Sequence, residues 1–82
     1  PKITVKKFGR KFKFRVTDNL SGIDQIICSI DDKWILAEYE PKTNTVWGEI
    51  PEWIKPGECE FKLIVIDHKR NRSEYNRNLL LK

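Results

Sequence analysis

An all-β domain, a seven-stranded antiparallel sandwich, is the fold this sequence predicts. Three observations predict it. Apolar residues recur with period two through short runs. Polar turn signals separate those runs about every ten residues. No longer stretch keeps the ~3.6-residue apolar period of an amphipathic helix.

The runs follow in order. Residues 2–8 alternate through Ile3 and Val5. Residues 11–17 read KFKFRVT, with Phe12, Phe14 and Val16 on one side and Lys11, Lys13 and Arg15 on the other, the pattern of a half-buried strand. Over 26–30, Ile26, Cys28 and Ile30 share a face. Residues 33–39 (KWILAEY) and 44–50 (NTVWGEI) supply two more strands. Over 59–66, Cys59, Phe61, Leu63 and Val65 form one face; Glu60, Lys62, Ile64 and Ile66 form the other, apolar only at its far end. Residues 73–81 complete the set, and the third, sixth and seventh strands are expected in one sheet. The expected core is Ile3, Val5, Phe12, Phe14, Val16, Ile26, Ile30, Leu36, Val46, Phe61, Leu63, Val65 and Leu79, joined by Trp34 or Trp47.

Turn chemistry lies between the runs. Gly9 precedes the second strand, and Asp18 to Gly22 is a polar turn with glycine available for positive φ. Asp31-Asp32 occupies a hairpin position where aspartate tolerates left-handed geometry. Pro41 to Asn44 and Asp67 to Arg72 turn the chain again. Pro51 to Lys55 is expected to form one helical turn, with Trp53 capping an open end of the sandwich.

At 82 residues the chain is read as one domain, 1–82, and its start at Pro1 as a piece excised from the C-terminal part of a larger protein. Three Trp, two Tyr and four Phe with many β-branched residues exclude disorder despite 34% charged residues. No apolar run reaches the length of a membrane helix, and no signal peptide is visible. The net charge of +4 is unevenly spread. Residues 1–17 carry seven Lys or Arg and no acid, residues 18–67 four bases and eleven acids, and residues 68–82 five bases and one acid. First and last strands on the same side would merge the two basic ends into one face, suited to an anionic polymer or an acidic neighbouring domain.

Chemistry-bearing residues are sparse. Cys28 and Cys59 allow one disulfide or two buried thiols, and their spacing matches no zinc motif. His68, the only histidine, lies among Lys69, Arg70 and Arg72 with no nucleophile to serve. Asp18, Asp31, Asp32 and Asp67 sit at strand ends; calcium would need them to converge, whereas turn formation explains each separately. No catalytic residue, metal site or cofactor is expected. Three surfaces are candidates. Trp34 and Trp47, read as neighbours on adjacent strands, offer sugar stacking or cross-strand packing. Lys11, Lys13, Arg15, Arg70 and Arg72 offer a polyanion contact, or a solvated edge that blocks aggregation. Few exposed aromatics interleave them, which argues against nucleic acid. Ile27, Ile64 and Ile66 face away from the core by parity and offer a docking patch.

The segments FRVTDNLSGI (14–23), IDDKWILAEYEPKTNTV (30–46) and KPGECEFKLIVIDHKRNRS (55–73) carry a resemblance that spans nearly the whole chain. They resemble the immunoglobulin-like accessory domain of bacterial envelope proteins, especially the domain that follows the catalytic unit of secreted zinc metallopeptidases of the lysostaphin type. One turn departs from that pattern: D-x-x-G-N is usual where Asp67 to Asn71 lacks glycine. The family's metal ligands belong to the catalytic unit and have no counterpart here. The resemblance implies an immunoglobulin-like sandwich and export to the cell envelope. It implies a non-catalytic module that positions or anchors a neighbouring domain of the same polypeptide. The alternative is a module binding carbohydrate or an anionic wall polymer.

Overall fold

The computed structural model describes residues 1–17 and 22–81. It is all-β and holds eight strands: β1 (Lys2–Lys7), β2 (Lys11–Thr17), β3 (Ile23–Ile30), β4 (Lys33–Ile35), β5 (Glu38–Glu40), β6 (Thr45–Glu49), β7 (Gly57–Asp67) and β8 (Arg72–Leu81). They form two four-stranded antiparallel sheets, ordered β1-β2-β6-β5 and β4-β3-β7-β8. The third, sixth and seventh expected strands correspond to β3, β7 and β8, which share a sheet. The expected turn at residues 18–21 lies outside the described residues; Gly22 beside it has φ 73°.

Eight strands replace the expected seven because the segment 33–39 divides between the sheets. Asp31 and Asp32 adopt φ of 48° and 65°, the two left-handed residues of a tight hairpin. That turn pairs Ile30 with Lys33, Ser29 with Trp34 and Cys28 with Ile35. Cys28 faces the interior, so Ile35 must as well. Ile35 is accordingly buried, while Leu36, expected in the core, is 61% exposed. The segment is apolar at both parities, and the hairpin register decides between them. Beyond Ile35 the chain crosses to the other sheet, where Tyr39 pairs with Val46. Gly48 permits the crossing. A Cβ there would stand 2.6 Å from the Phe12 ring and 3.0 Å from the Leu36 carbonyl oxygen.

The core is aromatic at its centre. Phe14 stacks on Phe61 at 5.7 Å, and Phe8 and Phe12 meet Phe61 edge-on at 5.0 Å. Tyr75 meets Phe14 at 5.1 Å, and Arg77 covers the Phe8 ring at 4.4 Å. Such pairs add about 0.5–1.5 kcal/mol each beyond the area they bury. Val16, Ile30, Val46, Leu63 and Val65 fill the rest, and Ile50, Ile54 and Leu81 are buried with them.

Other core expectations are corrected. Ile3, Ile26 and Leu79 are only partly buried. Val5 is 37% exposed because β1 is an edge strand whose register slips between Val5 and Lys7. Neither Trp34 nor Trp47 enters the interior, at 65% and 39% exposure. Residues 51–54 form a turn, with the Ile54 N–H donating to the Pro51 carbonyl, in place of the expected helical turn. Trp53 is exposed, and Ile54 is the residue buried from that connection.

Candidate functional site

The outer face of β4-β3-β7-β8 brings the expected isoleucines together. Ile27 stands opposite Ile64, and Gln25 opposite Ile66. Side chains alternate across the pleat, so these three share the side away from the core. Trp34 stands opposite Ser29 and hence diagonal to Ile27, within reach of a large aromatic. The sequence reading left Trp34 out of this patch, although the parity set by the Asp31-Asp32 hairpin was enough to place it there. On β8, Glu74 lies opposite Ile64 and Arg72 opposite Ile66. They form an ion pair at 3.1 Å that rims the patch. Hydrogen bonds from the Asn76 amide and from Arg72 hold the Glu74 carboxyl below its ordinary range.

The outer face of β1-β2-β6-β5 is polar. Lys11, Lys13 and Arg15 stand on β2 opposite Glu49, Trp47 and Thr45 of β6. Trp34 and Trp47 therefore lie on different sheets, because the hairpin ties β4 to β3 while β6 pairs with β2. The expected cross-strand pair and joint sugar platform do not form. The first and last strands, β1 and β8, meet along one side of the sandwich although they belong to different sheets. Arg70 pairs with Asp24 at 3.4 Å and Arg72 with Glu74, both away from Lys11, Lys13 and Arg15.

The β7–β8 turn is built around Asp67, a buried carboxylate. One of its oxygens accepts the N–H groups of Lys69 and Asn71 at 2.9 and 2.8 Å, and the other accepts the Asn71 side-chain amide at 2.9 Å. Burial opposes its charge, but these hydrogen bonds prevail and hold the carboxyl below its ordinary 3.8. Arg70 takes φ 71°, the position where the resembling pattern carries glycine. His68 donates its N–H to the Gly22 carbonyl, and its Nδ1 lies 3.6 Å from Asp24.

Asp31 and Asp67 flank opposite ends of β7, since Asp31 binds the backbone of Glu60 while Asp67 terminates the strand. Asp18 lies outside the described residues. Among the described residues, no group of three His, Cys, Asp or Glu gathers to hold a metal ion. The cysteines are free and buried. Cys28 stands opposite Leu63, four residues along β7 from Cys59. That offset is roughly 13 Å at strand rise, beyond the ~7 Å a disulfide tolerates. Burial pushes the Cys28 thiol up to about 12 and raises that of Cys59 too, with Asp31 adding to the latter. Both shifts disfavour the thiolate, the reactive form of cysteine. Among the described residues no helix is long and apolar enough to cross a membrane. No protein-family model, curated protein or solved structure matches the chain.

Proposed function

We propose that this domain is a non-catalytic immunoglobulin-like module of an exported envelope protein, and that it holds a neighbouring domain of its own polypeptide. The strand orders support the immunoglobulin-like reading. With β1, β2, β6 and β5 as strands A, B, E and D, and β3, β7 and β8 as C, F and G, they follow the two-sheet arrangement of that fold, β4 being an added edge. Export rests on the sequence resemblance alone.

The observation that carries the holding role is the apolar stripe Trp34–Ile27–Ile64–Ile66 across the outer face of β4-β3-β7-β8. Sheet faces turned to water alternate to polar residues. Here two facing isoleucines and an adjoining tryptophan break that alternation. A contiguous apolar surface with a polar rim is the form of a docking site.

The test is a titration of the labelled domain with its neighbouring domain, followed by amide NMR. Shifts concentrated at Ile27, Trp34, Ile64 and Ile66 are the expected result. Ile64→Lys should weaken the complex about tenfold or more, as for a truncated interface centre. Shifts elsewhere, or none, would overturn the reading.

A further inference from the structure

The opposite face of the sandwich carries a second surface of different chemistry. Lys11, Lys13 and Arg15 repeat on alternate residues of β2, about 7 Å apart. Lysines on edge strands are a common guard against aggregation. That reading does not account for this row, because β2 is an interior strand, flanked by β1 and β6.

The neighbouring strand sharpens the charge. The register slip in β1 takes the pairing from Val5 with Phe14 directly to Lys7 with Lys13. Lys6 is the extra residue of that slip, and Lys7 stands directly opposite Lys13. Like charges directly opposite one another destabilise a sheet. Among the described residues, Lys7, Lys11, Lys13 and Arg15 make no ion pair. Glu49 stands opposite Lys11, but Lys7 and Lys13 face each other, and an anion between them would relieve that pair.

The cluster has an aromatic neighbour. Trp47 stands opposite Lys13 and is 39% exposed. Lys7, Lys13, Glu40, Thr43, Thr45 and Trp47 line a shallow groove of about 480 Å3. An indole face offers π density to the C–H bonds of a pyranose ring. Threonine hydroxyls and the carboxylate of Glu40 can accept sugar hydroxyl protons, while the lysines meet the sugar's anionic substituents.

From this juxtaposition we infer that the outer face of β1-β2-β6-β5 binds an anionic polysaccharide, with Trp47 stacking on a sugar and Lys7, Lys11, Lys13 and Arg15 taking its charges. Nucleic acid fits less well. Single-strand grooves supply successive aromatics, whereas this groove has one. Glu38, Glu40 and Glu49 lie on the same face and temper the charge it offers to any polyanion, so the single aromatic is what separates the two ligand classes.

The experiment measures binding of the 82-residue domain to polygalacturonate, neutral dextran and a fifteen-nucleotide oligothymidine, in about 50 and 200 mM salt. Polygalacturonate should bind, more weakly at the higher salt, and dextran should not. Lys11→Glu/Lys13→Glu should lower affinity about tenfold or more. Trp47→Ala should lower it several-fold without changing the salt slope. Lys33→Glu/Lys69→Glu makes the same change in net charge elsewhere and should leave binding intact. Circular dichroism confirms that each variant is folded. Three results would overturn the inference: equal loss in the two double variants, no loss in Trp47→Ala, or tighter binding of the oligothymidine than of polygalacturonate.

Discussion

At the scale of single residues, Asp67 has the clearest role. Its two oxygens accept three hydrogen bonds that close the β7–β8 turn. A carboxyl held below its ordinary value in the fold stabilises that fold while ionised. The contribution is complete above the ordinary 3.8 and disappears as the pH falls through the lower folded value. The melting temperature of the wild type should therefore drop as pH falls below that point. Asp67→Asn should melt lower at neutral pH and show a flatter acid limb. Parallel curves for the two proteins would remove Asp67 from the acid response. The sequence placed a turn here but did not reveal this carboxylate's burial, because an aspartate at a strand end is usually solvated. Arg70 beside it was more legible. The missing glycine of the resembling pattern falls on the one residue of this turn with a left-handed backbone, at a cost of about 1–2 kcal/mol for a side chain with a Cβ.

At the scale of elements, alternation located strands well where one parity was apolar and the other charged. KFKFRVT (11–17) leaves no doubt about which side faces inward, and Phe12, Phe14 and Val16 are buried. KWILAEY (33–39) is apolar on both sides, so periodicity could not choose between Ile35 and Leu36. The choice lay in the preceding turn, whose two residues fix the register with Cys28. The division into β4 and β5 rests on a feature further away in sequence, the bare backbone of Gly48 beneath Phe12 and the Leu36 carbonyl. Gly48→Ala should cost about 1–3 kcal/mol through overpacking. That corresponds to roughly 4–8 °C in melting temperature per kcal/mol for a domain of this size. Phe12→Leu added to Gly48→Ala should recover part of the loss, since the clash is with the ring tip. Strictly additive losses in thermal denaturation would contradict that coupling.

At the scale of the whole molecule, the two sheets present unlike exteriors around one aromatic core. The outer face of β4-β3-β7-β8 is apolar at its centre and ion-paired at its rim; that of β1-β2-β6-β5 is cationic along β1 and β2 and acidic toward β5. Parity placed Ile27, Ile64 and Ile66 outside, and the pairing of β3 with β7 brings Ile27 opposite Ile64. The tryptophan pair was misread because strand membership in a sheet is a long-range property that neighbouring residues do not encode. The slip at Lys6 has a wider bearing still. A straight outer strand is a template on which identical molecules add, one after another, into fibres. The extra residue interrupts the repeat of donors and acceptors along that border, and the lysines around it repel an incoming copy. Deleting Lys6 should restore an even border, and the shortened protein should form thioflavin-positive aggregates at concentrations where the parent stays dispersed. On that expectation, one surplus residue would keep the molecule separate from its own kind.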